Sequence, residues 1–162
     1  LGSAALLAVL GGRSVAQARV WTDSVTLFRH MLPLLGEHPY RASVFSLLAL
    51  AHRDRGETAL EEAALRQALV AGPGAPSTHA RLGDLAARAG RLDEATEEFR
   101  IAVAMAPRSV DFRCLLSMAL LAGGRRGEAF EQVQAAFALD PGAHCLPGLL
   151  SQLQAERPAA PP

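Results

Sequence analysis

The chain contains no lysine and no asparagine among its 162 residues. Without asparagine there is no N-glycosylation acceptor. Both missing residues are encoded by AT-rich codons, so a GC-rich, bacterial genome is the simplest source of the composition. Sixteen arginines balance sixteen acids, giving a net charge of zero. No basic face is therefore expected to attract nucleic acid, and that class of partner is set aside. Aromatic residues make up only 5% of the chain. No hydrophobic run reaches the roughly 20 residues that a membrane-spanning helix needs. What is abundant is alanine and leucine, within a hydrophobic content of 50%, which suits helices and supplies ample core for one domain.

Residues for chemistry are scattered rather than grouped. The five histidines, His30, His38, His52, His79 and His144, show no metal-ligand spacing, so no metal or cofactor is expected. Gly11-Gly12 and Gly123-Gly124 lack the following Gly-Lys-Ser/Thr of a phosphate loop. Asp93-Glu94 and Glu97-Glu98 fall in the first turns of a helix and complement its dipole. Arg125-Arg126 opens a helix after a turn and reads as solvated. Cys114 and Cys145 form no Cys-x-x-Cys pair. The sequence favours two buried free thiols, because a bridge demands close approach of the Cα atoms. A disulfide in an oxidising compartment is the alternative. No nucleophile–base set is visible, so this segment is not read as an enzyme.

The strongest positive signal is an interval. Pro39, Pro73, Pro107 and Pro141 stand 34 residues apart each time. Aligned on them, other positions form columns: Leu48, Leu82 and Leu116, each followed by a small residue (Ala49, Gly83, Ser117). Next come Gly56, Gly90 and Gly124, then Ala95 and Ala129, then the bulky Leu65, Phe99 and Val133, and finally Ala68, Ala102 and Ala136. Glu61 breaks the alanine column. Either the first hairpin shifts by a residue there or the carboxylate bends out to solvent.

These columns resemble the tetratricopeptide repeat (TPR), whose helix–turn–helix unit is about 34 residues long. The unit from Pro76 to Pro107 carries the resemblance best. The tryptophan and tyrosine often seen in the first helix are replaced by Phe45, His79 and Arg113 at one column and by His52, Ala86 and Leu120 at the other. The resemblance implies an all-α TPR solenoid of about three repeats, with a half repeat before and a capping helix after. Helices are expected at roughly 42–54, 58–71, 76–89, 92–105, 110–122 and 126–139. One more, from about 14 to 35, would form the half repeat, with Leu27, Met31 and Leu34 in its apolar and small columns. A cap from Leu146 to Ala155 would carry Pro147 in its first turn. The expected organisation is 1–12 as a hydrophobic segment, 13–41 as junction and half repeat, 42–156 as the array with its cap, and 157–162 as a disordered tail.

In such arrays the first helix of each pair lines the concave face, which holds a peptide segment or partner protein. The resemblance places Ser43, Ser46, Leu50, Arg53 and Asp54 there, then Ser77, Ala80, Asp84, Ala87 and Arg88, then Asp111, Cys114, Met118, Leu121 and Ala122. Leu50, Met118 and Leu121 would supply apolar contacts, and Arg53, Asp54, Asp84, Arg88 and Asp111 charged ones. A carboxylate clamp for chaperone tails needs lysine and asparagine, and the asparagine ladder of some sugar-transferring TPR enzymes needs the latter. Neither fits this chain.

The sequence opens Leu1-Gly2-Ser3, without methionine, and is expected to be a piece of a longer chain. Its first twelve residues could be the end of a transmembrane helix, a signal-peptide core before Ala16-Gln17-Ala18, or a buried solenoid helix. After them comes Arg19-Val20-Trp21-Thr22-Asp23-Ser24-Val25-Thr26-Leu27-Phe28. This stretch resembles the junction in multi-spanning membrane glycosyltransferases that end in a TPR array, the O-mannosyltransferases acting on cadherins and their bacterial relatives. Over residues 1 to about 40 the resemblance implies the partner-recruiting tail of such an enzyme, attached to the membrane at its N-terminus. Arg13, Arg19 and Trp21 fit a membrane interface, although Trp21 could equally cover the first repeat's apolar edge. Flanking arginines favour the cytoplasmic side, but the family's tail lies outside the cytoplasm, and a periplasmic location is the expectation. The family's catalytic acids lie far upstream, so no catalytic residue carries over. The alternative is a stand-alone secreted or anchored TPR adaptor.

Overall fold

The computed structural model describes residues 23–155. Among the described residues all regular structure is helical: α1 Ser24–Leu35, α2 Arg41–Asp54, α3 Thr58–Ala71, α4 Pro76–Arg88, α5 Leu92–Met105, α6 Val110–Ala122, α7 Arg126–Leu139 and α8 Leu146–Ala155. The six helices of the three hairpins begin and end within one residue of the expected positions. The chain divides into two compact units, one ending at Pro73 and the other starting at Gly74. Each is taken by itself.

Local chemistry sets these bounds. Gly56, Gly90 and Gly124 adopt φ of 72°, 76° and 72°, a region costly for any residue with a Cβ. Past each glycine an amide turns back: Glu57 donates to the His52 carbonyl (2.9 Å), Arg91 to Ala86 (2.9 Å) and Arg125 to Leu120 (2.8 Å). That bond satisfies an orphan carbonyl and reverses the chain into the second helix of the pair.

In the first unit, α1 begins at Ser24 rather than near residue 14. Asp23 is extended (φ −143°, ψ 123°), and its carboxylate accepts from the Thr26 amide at 3.1 Å and the Thr26 hydroxyl at 2.7 Å. This is an N-cap. Asp23 also pairs with Arg55, just past α2. The hydrophobic segment 1–12, the interface residues Arg13, Arg19 and Trp21, and the tail 157–162 lie outside the described residues. The Thr26 side-chain hydrogen bond foremost, then the Thr26 amide and Arg55, hold the Asp23 carboxyl at about 2, below its ordinary 3.8. A lowered folded value means this cap stabilises α1 above pH 3.8 and fails as pH falls towards 2. The carboxyl carbon signal of Asp23 should therefore titrate near 2. Asp23→Asn, which keeps a capping oxygen, should remove the acid-induced fraying of α1; a midpoint near 3.8 would show the cap is not formed.

The α2–α3 hairpin buries Val44, Phe45, Leu48 and Ala49 against Ala64, Leu65 and Ala68. Glu61 meets neither sequence expectation. Helix α3 starts at Thr58, in phase with α5 and α7, so the register does not shift. The side chain does not turn outward either, since Glu61 is only 4% exposed. Among the described residues no buried side-chain nitrogen or oxygen lacks a partner. A glutamate can occupy an alanine's seat when its polar atoms are met in this way. His52 is also buried, with Nδ1 2.5 Å from Glu57 Oε2.

The second unit holds the α4–α5 and α6–α7 hairpins and the cap α8. One core joins Ala80, Ala86, Ala95, Phe99, Ala102, Leu116, Ala119, Leu120 and Ala129. The alanine columns are fully shielded, as expected where helix backbones approach closely. Gly83 makes the tightest crossing: a Cβ there would stand 2.8–3.0 Å from the Phe99 ring. The column usually filled by tryptophan has become polar. His79 Nδ1 lies 2.8 Å from Glu98 Oε2, and 34 residues on Arg113 donates to Gln132 Oε1 at 2.9 Å. These bridges link first and second helices where an aromatic ring would otherwise wedge them. Arg100 of α5 and Arg125 both bond Glu128; chiefly the Arg125 hydrogen bond holds its carboxyl below the ordinary range.

Candidate partner-binding face

In the first unit the expected contact residues lie along α2. Leu50 is 40% exposed, and Arg53 and Asp54 are exposed beside it, their side chains 3.5 Å apart. Ser43 is open, whereas the Ser46 hydroxyl donates to the Ala42 carbonyl at 3.1 Å and is occupied by its own helix. Leu47, exposed on the same helix, was not among the sequence candidates.

In the second unit the residues lie on α4 and α6. Asp84 sits between two guanidinium groups, Arg88 at 2.9 Å and Arg81 at 3.4 Å. The Arg88 and Asp84 charges thus largely answer each other, as an exposed i,i+4 pair does. Asp111 and Met118 are exposed, Met118 at 46%, while Leu121 is half-buried and packs against both apolar clusters. The outward surface of this unit is therefore a polar α4 edge followed by an apolar α6 edge.

Two expected contact residues do not reach that surface. Ala80 is buried in the α4–α6 core. Cys114 is 2% exposed and bonded to Cys145, with Cα atoms 6.3 Å apart. The free-thiol reading is thereby corrected. The two cysteines stand 31 positions apart in sequence, and the hairpin between them brings α6 beside the start of α8. That distance lies inside the range a disulfide tolerates. A second apolar cluster surrounds the bridge: Val133, Ala136, Leu146, Leu149 and Leu153.

The sequence reading also missed an apolar edge on α7. Phe130, Phe137 and Leu139 are exposed, and Phe130, Leu150 and Leu153 line an open cleft of about 520 Å³ with Arg126, Gly127 and Gln154. The available signal was that Phe130 and Phe137 each follow a buried column alanine, Ala129 and Ala136, and so point past the crossing. Among the described residues no cluster of His, Cys, Asp and Glu could hold a metal. None of their helices is long and apolar enough to cross a membrane.

Residues 80–144 match the tetratricopeptide repeat family. No curated protein matches the chain. Among solved structures, YrrB, a TPR protein with an unusual peptide-binding site, is similar with a TM-score of 0.69 at 17% identity, over 95% of this chain and 76% of its own. The first TPR of Spaghetti (RPAP3), bound to an HSP90 peptide, scores 0.65 at 16% identity, over 70% of this chain and 90% of its own. The Arabidopsis OM64 TPR domain scores 0.65 at 12% identity, covering 72% of this chain and 96% of that one. From the repeat columns, the matched segment and these neighbours together, the fold of the described residues is that of a tetratricopeptide repeat array.

Proposed function

We propose that the chain is a non-catalytic protein-interaction module whose first-helix faces receive an extended or helical peptide segment. The observation that carries this reading is the pair of large apolar side chains, Leu50 on α2 and Met118 on α6, left open at contact positions beside charged residues. Peptide binding in the similar proteins YrrB and RPAP3 supports it. The ligand chemistry must differ from that of a chaperone tail held by a carboxylate clamp, because this chain has neither lysine nor asparagine. An apolar segment with a few charges, alternating to match Arg53 and Asp54 or Asp84 and Arg88, fits these faces.

A random-peptide display selection against the full chain tests the reading. Peptides held by the first unit should bind Leu50→Asp, and those held by the second unit Met118→Asp, at least about tenfold more weakly, a loss of about 1.4 kcal/mol. Arg53→Glu/Arg88→Glu should shift the charge of the selected peptides. Indistinguishable selections from all four proteins would end the reading and leave the array as a spacer.

We further infer that the module is the partner-recruiting tail of a bacterial membrane glycosyltransferase, held outside the cytoplasm. The Arg19-Val20-Trp21-Thr22-Asp23-Ser24 junction supports the parent, and a disulfide in the fold supports an oxidising compartment. The coding sequence upstream of Leu1 tests the parent. Several hundred residues with many hydrophobic spans and an early acidic loop would sustain it, whereas a start codon within about 20 residues would favour the stand-alone adaptor.

A further inference from the structure

The cap α8 is a weak helix by its own chemistry. It has ten residues, Pro147 and Gly148 among them, and is shorter than the roughly 12–15 residues at which isolated helices become even marginal. Pro141 and Gly142 separate it from α7, so helix continuity does not hold it. Three leucines, Leu146, Leu149 and Leu153, anchor it to Val133 and Ala136. Its remaining residues are exposed apart from Leu150, which is half-buried. The covalent tie enters at its start, since Cys145 immediately precedes Leu146 and is bonded to Cys114 in α6. The two sulfurs are unequal. Cys114 is sealed in the cluster, whereas Cys145 is only half-buried at its edge.

We propose that the Cys114–Cys145 bridge is a redox latch: a dithiol reductant releases α8 from the last hairpin, and reoxidation docks it again. The chemistry balances by thiol–disulfide exchange. One thiolate of the reductant attacks the Cys145 sulfur, forming a mixed disulfide and expelling Cys114 as a thiolate that takes up a proton. The second thiol of the reductant attacks its own half of the mixed disulfide and frees Cys145 as a thiol. Two electrons and two protons pass to the protein, and the reductant becomes a disulfide. Loss of the tie leaves a ten-residue helix on three leucines, and its opening uncovers the apolar surface of Val133, Ala136 and Leu121. The hairpins need not open with it, because the α4–α7 core of Phe99, Leu116 and Leu120 is a separate cluster. The latch does not depend on what the first-helix faces bind.

Amide exchange on the full chain, oxidised and then reduced with dithiothreitol, tests the proposal, with the thiol state read by intact mass after alkylation. Exchange across 142–155 should accelerate by about tenfold or more on reduction, while α5 stays protected, and oxidised glutathione should restore the slow rate. Cys114→Ala/Cys145→Ala should exchange its cap quickly in either buffer and ignore the reductant. Three results would overturn the latch: an equally protected cap after complete reduction, loss of protection throughout the second unit at once, or failure of the cysteines to bridge in the oxidised chain.

Discussion

Phe99→Ala is expected to destabilise the second unit by about 3–5 kcal/mol, the cost of emptying a buried aromatic site that cannot fully collapse. Phe99 is sealed in α5, packs in the core with Leu116 and Leu120, and covers Gly83 of α4. It is the only aromatic ring buried in this unit's described core, and the surrounding alanine columns are too small to move into the space. Against a domain stability of about 5–15 kcal/mol the loss is large. Amide exchange of α4–α7, or the thermal midpoint of the far-ultraviolet signal, should show it as a fall of at least about 12 °C. A drop of only a few degrees would mean that the two hairpins do not meet through this ring.

Gly83→Ala attacks the same crossing from the other side. The added methyl would stand 2.8–3.0 Å from three carbons of the Phe99 ring, closer than carbon atoms pack. The ring is held by its neighbours, so α4 must move away, at a cost of about 1–3 kcal/mol. Helix propensity favours alanine over glycine by about 1 kcal/mol, which sets the two effects against each other. The collision should prevail because Gly83 is buried and the opposing atoms belong to a fixed ring. A double-mutant cycle separates the terms. Phe99→Leu removes the ring atoms, so Gly83→Ala should be close to neutral in that background, with a coupling of about 1–3 kcal/mol. Equal costs in both backgrounds would place the strain elsewhere.

Much of the fold can be read from the chain because its signals are local. A glycine that needs φ of 76° at residue 90 and a proline at 107 that cannot continue a helix act on their immediate neighbours. The hairpin helices therefore fall within a residue of expectation. The sequence pattern carries α1 back towards residue 14 because Ala16, Ala18 and Arg19 suit a helix, whereas the helix starts where Asp23 turns its carboxylate onto Thr26. The candidate face was legible only as a set of positions. Leu50, Arg53, Asp54, Arg88, Asp111 and Met118 are exposed as expected, but Ala80 and Cys114 occupy equivalent positions and are buried. A repeat pattern says which side of a helix a residue occupies. It does not say how closely the next helix lies over it.

The sequence by itself determined the helix order, the 34-residue period and the columns of small residues at the crossings, because each depends on backbone preferences over a few residues. Only the tertiary structure decided that Glu61 fills an alanine's place inside the first hairpin and that His79 and Arg113 build polar bridges where a ring is usual. It alone paired Cys114 with Cys145. Each of these depends on the separation and facing of two helices. That separation is set by the packing of every side chain between them, and no single stretch of chain contains it.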